Sequence, residues 1–213
     1  MNISDVEPLY EQDKISMDGQ RLAQQVKFII EIDKLKQIHR QTYLTDSSRH
    51  ENSVEHSWHL AVMCMLLLEH ANHPNLNMGR VIRMVLVHDI VEIDAGDTFI
   101  YDDAGNGSKV ERELAAADRL FSILPTDQGN MLRDLWEEFE SGHTPEARFA
   151  NSLDRFQPML HNIVTHGKSW HEHGIRKSQV VAKNQVMEAG SNRLWEYISR
   201  ALSDAVSNGH LSE

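Results

Sequence analysis

Apolar residues recur along this chain at spacings of three and four, and nowhere in the strict alternation that a half-buried strand requires. That periodicity restricts the fold to packed helices. Leu22, Val26, Ile29, Ile30, Leu35 and Ile38 form the first stripe, which the polar stretch Thr45–Asn52 interrupts. A second helix is expected from about Ser53 to Ala71, apolar nearly all round between Ala61 and Leu68 and therefore central in the core. After the turn-forming run HPNLN at 73–77, a third spans about Met78 to Ile93. A polar connection from Gly96 to Gly107 follows, long enough to suggest a functional role.

Further helices are expected over about Ser108–Leu124, from Pro125-Thr-Asp to Ser141, and from Thr144-Pro145-Glu146 onward, with Pro145 in a first-turn position. Pro158 should kink the last of these or mark a boundary in it. His166–Gly174 reads as a loop, and a final helix spans 178–206. With 11 Gly and 5 Pro in 213 residues, a turn-rich β-sandwich is excluded. No repeat or linker divides the chain, so one all-α domain covering 1–213 is expected.

Charge and cysteine usage narrow the function classes. The formal charge is −11, so a nucleic-acid polymer is an unsuitable partner and any anionic substrate needs a local positive centre. The longest apolar run, Leu60–Leu68, has nine residues, far short of the roughly 20 of a membrane span. The first residues, MNISDVEPLYEQDK, lack the basic start and apolar stretch of a secretory signal. The single cysteine, Cys64, sits in the most apolar run and reads as a buried small hydrophobe in a reducing compartment. A cytoplasmic protein is the expectation.

The third helix ends in Val87-His88-Asp89-Ile90-Val91-Glu92. On an α-helix, His88 and Asp89 would lie about 100° apart, with Glu92 one turn along from His88. Alone, the dipeptide is equally a histidine favourable to a helix C-terminus beside a solvated aspartate. His56 opens the apolar second helix, however, and Asp154 borders the apolar stripe of the sixth. A carboxylate there is costly to bury without a partner. His56, His88, Asp89 and Asp154 would offer two imidazoles and two carboxylates from three helices, a set suited to a divalent cation with its other positions left to water. Without a cation, Asp89, Glu92, Asp97 and Asp154 would repel one another.

These segments resemble the HD-domain metal-dependent phosphohydrolases, in the branch of bacterial 5′-deoxynucleotidases and their eukaryotic HD-domain-containing-protein-2 relatives. The likeness rests on Leu35–Arg40, Arg49–Trp58, Leu86–Glu92, Gly96-Asp97, Leu135–Glu140 and Ala147–Asp154, in family order from about residue 20 to 165. It implies metal ligation by His56, His88, Asp89 and Asp154. Glu92 would orient or deprotonate the attacking water, Asp97 would assist near it or the leaving group, and Arg40 would grip the phosphate. Some relatives follow that arginine with a tryptophan. Gln41 stands there in this chain, leaving Tyr43 to stack on a base.

An ion held by two carboxylates is nearly neutral in sum, so Arg40 and Arg49 would supply the charge that attracts phosphate. The expected activity is hydrolysis of the 5′-phosphate of (deoxy)nucleoside monophosphates by metal-activated water, with Co²⁺ or Mn²⁺ favoured and Zn²⁺, Fe²⁺, Ni²⁺ or Mg²⁺ compatible. A nucleoside triphosphatase, another phosphoesterase, or a non-catalytic binding protein of the same fold are the alternatives. The family also implies a homodimer. Lys109 with Glu113 reads as a surface pair, His59 as a helix histidine bonded to a carbonyl, and His171-Glu-His173 as solvated.

Overall fold

A computed structural model describes residues 17–213. The segment MNISDVEPLYEQDK, read above as unlike a secretory signal, lies wholly outside the described residues. Helix α1 (Met17–Ile32) is followed by a 3-10 turn, Asp33–Gln37. Exposed Arg21 clamps Asp127 through two bonds of 2.7 Å, tying α1 to a later helix. The expected helical stripe through Ile38 is therefore too long. Beyond the turn, strand β1 (His39–Tyr43) pairs antiparallel with β2 (His50–Asn52), His39 opposite Asn52 and Tyr43 opposite His50. The all-α class stands, with this small two-stranded hairpin added to it. Its sequences, HRQTY and HEN, bury only Thr42 and Glu51, so no apolar alternation marks it.

Helix α2 (Ser53–Leu67) starts at a capping box, where Asn52 accepts from the Glu55 amide and Glu55 accepts from the Asn52 amide. One face of α2 buries Leu60, Ala61, Met63 and Cys64. The other leaves Trp58, Met65 and Leu66 exposed, at 63%, 54% and 67%. The helix is thus amphipathic in place, contrary to its apolar composition.

Helix α3 (Met78–Val87) opens at Asn77, whose side chain accepts from the Arg80 amide. It does not run on to residue 93. A 3-10 turn, His88–Val91, interrupts it, followed by the short helix α4 (Glu92–Ala95) and Gly96 at φ +75°. The long connection is also shorter than expected, because α5 (Asp103–Phe121) begins before Gly105 and Gly107, with the Asp102 carboxylate capping the Gly105 amide.

Helix α6 (Thr126–Ser141) ends at left-handed Gly142, and α7 (Pro145–Val164) is capped by Thr144 and continues through Pro158. The expected loop after it holds a helical turn, α8 (Lys168–Glu172). The expected final helix is two, α9 (Lys177–Asn184) and α10 (Asn192–Ser207), separated by the 3-10 turn Gln185–Ala189 and the Gly190-Ser191 junction. Gly190 lies so close to the Arg148 carbonyl that any Cβ would collide with it. Ser191 caps the Leu194 amide and donates to the His70 carbonyl at 2.6 Å.

Two apolar clusters hold the helices. One centres on Leu60, Cys64, Met84, Phe149 and Leu153. The other centres on Phe28, Leu35, Val91, Leu120 and Trp136. Burial pushes the Cys64 thiol up to about 11, consistent with an unreactive core residue. Fully buried Leu60, Met84 and Leu153 brace the inner faces of α2, α3 and α7, the elements that carry the polar cluster described next. Among the described residues no helix is long and apolar enough to cross a membrane.

Candidate metal centre

Three elements bring their polar side chains to one point. His56 lies in the first turns of α2, His88 and Asp89 on the 3-10 turn after α3, and Asp154 midway along α7. One ligand atom from each of His56, His88 and Asp154 lies within 4.8 Å of the others. His56 Nε2 is 2.9 Å from Asp154 Oδ1, and His88 Nε2 is 3.7 Å from the same oxygen. Asp89 stands outside that trio: its Oδ1 is 2.9 Å from His88 Nε2, and its Oδ2 accepts from Arg40 Nη1 at 3.1 Å.

The break from α-helix to 3-10 turn sets this arrangement. Residues advance by about 120° in a 3-10 turn rather than 100°, so the helical spacing assumed for His88, Asp89 and Glu92 does not apply. His88 Nδ1 donates to the Val85 carbonyl at 2.9 Å, which fixes the ring and turns Nε2 toward Asp89 and Asp154. That buried Nε2 makes no well-aligned hydrogen bond, although Asp89 Oδ1 pairs with it at 2.9 Å. An imidazole nitrogen so directed, beside a carboxylate and a second imidazole, would exchange its proton for a divalent cation of intermediate hardness.

Electrostatics point the same way. Burial works against charge on His88, yet Asp89 and Asp154 outweigh it and push the ring up to about 10. For His56, burial and Arg40 oppose protonation, but Asp154 and Glu51 raise it. Asp154, despite burial, is held well below the usual carboxylate range by the two histidines. Asp89, despite burial, falls to about 2 beside His88 and Arg40. The cluster favours positive charge at its centre, which the two imidazoles supply as protons and a metal ion would supply as itself.

Glu92 and Asp97 lie at the rim. Burial and Asp89 raise Glu92 well above its ordinary value, and its Oε2 accepts from Ser53 Oγ at 2.7 Å. Burial raises Asp97 too, with Asp89 adding to it against Arg40. Both line a cavity together with Arg40, Gln41, His88, Asp89 and Asp154. Arg40, on β1, lies within 4 Å of Glu51, Asp89, Asp97 and Asp154. These carboxylates outweigh burial and hold its charge firmly.

Two expected substrate residues are placed elsewhere. Arg49 is exposed and forms two bonds with Glu55, at 2.6 and 2.8 Å. The Tyr43 hydroxyl donates to Glu172 at 3.0 Å, and its ring packs on His50 and under Lys168. Neither lines the cavity. Gln41 does, and the aromatic walls come from Phe99, Tyr101 and Trp170. Lys109 and Glu113 also line it, 3.4 Å apart, so they are not a pair on the open surface. Arg155 completes the cationic wall, its Nε 3.7 Å from Asp154 Oδ2.

Sequence reasoning passed over these residues because lysine and glutamate at i,i+4 look alike on a wall and on a surface. His59 meets Gln157 Nε2 at 3.4 Å rather than a carbonyl. His171 and His173 are both exposed, as expected, and His173 also donates to the Ser169 carbonyl and packs on Phe99.

A helical core that offers two histidines and an aspartate around one point defines the HD type of metal-dependent fold, and the wider comparisons agree. A family model described as HD domain matches residues 32–195, and the chain belongs to that family. A crystal structure of a predicted metal-dependent phosphohydrolase from Magnetospirillum magnetotacticum MS-1 is 52% identical, with a TM-score of 0.89 over 93% of this chain and 100% of that one. The 5′-deoxynucleotidase HDDC2 of Xenopus laevis is 34% identical over 146 residues, 68% of this chain and 69% of that protein. The human protein of the same name is 31% identical over 136 residues, 63% of this chain and 65% of that one.

Proposed function

We propose that this chain is a metal-dependent phosphomonoesterase that removes the 5′-phosphate from nucleoside monophosphates, 2′-deoxy ones foremost. The observation that carries the reading is the convergence of His56, His88 and Asp154 on one point beside a cavity that Arg40, Lys109 and Arg155 also line. The chemistry named for the Xenopus and human relatives supports the same substrate class. His56, His88 and Asp154 would hold one divalent ion, with Asp89 as the fourth protein ligand once its oxygen turns from Arg40. When bound, such an ion acidifies a coordinated water and draws charge from a phosphoryl oxygen.

The remaining work falls to the chain's own groups. Phosphate-ester hydrolysis asks chiefly for positioning and neutralisation of charge. Arg40 presents a planar fork suited to two phosphate oxygens. Lys109 and Arg155 take over the role expected of Arg49, offsetting the acidity of the cavity. Glu92, anchored by Ser53, receives the proton of the attacking water, and Asp97 assists beside the leaving oxygen. Phe99, Tyr101 and Trp170 offer the apolar surface for sugar and base in place of Tyr43.

The same reading treats the chain as one HD-type domain, cytoplasmic, without a nucleic-acid polymer as partner, and working as a homodimer. The exposed stripe of Trp58, Met65 and Leu66 supports a second copy. Co²⁺ or Mn²⁺ remains the favoured ion. The test is a phosphate-release screen of the Co²⁺- or Mn²⁺-loaded protein over ribo- and deoxymononucleotides and their triphosphates. Phosphate from deoxynucleoside 5′-monophosphates is expected. Pyrophosphate or triphosphate as the product, or no release from any mononucleotide, would overturn the substrate assignment.

A further inference from the structure

A chain of buried hydrogen bonds runs from β1 to the back of His56, and its direction can be deduced bond by bond. It starts at the Tyr43 carbonyl, which only accepts. His161 Nδ1, 2.9 Å away, must therefore carry a hydrogen, which leaves His161 Nε2 bare in the neutral ring. Gln157 Nε2 lies 2.8 Å from Glu51 Oε2, 3.1 Å from that nitrogen and 3.4 Å from His59 Nδ1, so the amide's two hydrogens go to the two nearer acceptors. The amide oxygen then faces His56 Nδ1, at 3.1 Å, and that nitrogen must be the donor. Glu51 Oε1, 3.6 Å from the same Nδ1, favours the same tautomer. His56, held as the Nδ1 donor, turns its Nε2 toward Asp154 Oδ1 at 2.9 Å, and that nitrogen is the one free to exchange its proton for an ion. All four side chains, Glu51, His56, Gln157 and His161, are at most 5% exposed, so water cannot substitute for a missing partner.

His88 gets its tautomer locally, from the Val85 carbonyl three residues earlier in the chain. His56 lies in the first turns of α2, and its Nδ1 partner comes from another helix, α7. We infer that Gln157 and His161 are positioning residues that hold His56 as the Nδ1–H tautomer, presenting Nε2 to the ion, with the polarity of the relay fixed by the Tyr43 carbonyl. The inference rests on His56 being a metal ligand, as proposed above. Partners of this kind orient a ligand and raise its basicity, and their loss costs about 10- to 100-fold in metal affinity.

The experiment takes the full chain, ¹⁵N-labelled and loaded with Zn²⁺, and reads the ring nitrogens by long-range ¹H–¹⁵N correlation. His161 and His56 should both carry hydrogen on Nδ1, with Nε2 bare in the first and metal-bound in the second. His161 protonated on Nε2, or His56 bound through Nδ1, would overturn the inference without any variant. In parallel, calorimetric titration with Co²⁺ compares variants whose metal-stripped melting temperatures are recorded alongside. Gln157→Met, similar in length but without donor or acceptor, should bind about 10- to 100-fold more weakly. His161→Leu should also weaken binding. His161→Gln should restore it, since a glutamine can donate to the Tyr43 carbonyl and accept from Gln157.

Equal affinity across the variants, or a loss that His161→Gln does not rescue, would refute the relay while leaving the metal site standing. A wild-type chain that binds neither Zn²⁺ nor Co²⁺ would refute the relay and the metal reading together.

Discussion

His88 carries the most direct residue-scale consequence of the site. Its pKa rises from 6.5 to about 10, so the folded state holds a proton that the unfolded chain releases earlier. A raised histidine contributes stability that is complete below about pH 6.5 and lost as pH rises through 10. Metal-stripped protein should therefore melt at progressively lower temperature between pH 6.5 and 10. Glu92, also raised, acts in the same direction, so the variant His88→Asn isolates the histidine: its profile over that window should be flatter. Loading with Zn²⁺ should flatten the wild-type profile too, because the ring is then bound in its neutral form. A stripped wild type whose melting temperature does not change with pH would contradict the protonated pair described for His56 and His88.

Also at this scale, the residues named from the sequence divide by type. His56, His88 and Asp154 were legible because a charged or ligating side chain on an apolar stripe is anomalous and asks for a partner. Gln157, His161 and Glu51 gave no such signal. Their roles depend on which side chains face them across the fold, and no spacing along one helix encodes that.

Among elements, the long helices were legible and their interruptions were not. Periodicity registers a stripe of about ten residues, whereas the 3-10 turn at His88–Val91 changes the spacing over four. The β-hairpin escaped for a different reason: its inner positions are Thr42 and Glu51, buried for the sake of the site rather than the core. The capping box at Asn52–Glu55 was in plain view, and it does start α2 where the helix was expected. Two glycines test how packing overrides propensity. Gly190 sits against the Arg148 carbonyl and Ser152 Oγ, while Gly107, exposed within α5, has nothing within 4 Å of where a Cβ would lie. Gly107→Ala should raise stability by about 0.5–1 kcal/mol through helix propensity. Gly190→Ala should lower it by about 1–3 kcal/mol through overpacking. Urea midpoints measure both. The same sign for the two changes would contradict the close junction between α7 and the start of α10.

For the whole molecule, an acidic chain of −11 gathers part of its negative charge around one buried point and edges the adjoining cavity with Arg40, Lys109 and Arg155. Under the proposed function, a bound divalent ion together with these three cations would offset the carboxylates that also line the cavity, Asp89, Glu92, Asp97, Glu113, Glu140 and Asp154. The helical class and the order of the segments were readable from the first pass along the sequence. The placing of these cations was not, because they come from β1, α5 and α7, elements that meet only in the folded chain.

The central claim is that the His56, His88 and Asp154 centre drives phosphate release. Its most direct test is the rate at which purified protein frees phosphate from a deoxynucleoside 5′-monophosphate, measured after chelator treatment and again after Co²⁺ is restored, for wild type and Asp154→Ala. Release should occur in reloaded wild type, vanish on stripping, and be absent from the variant under both conditions. Equal rates in stripped and reloaded protein, or an active Asp154→Ala, would contradict it.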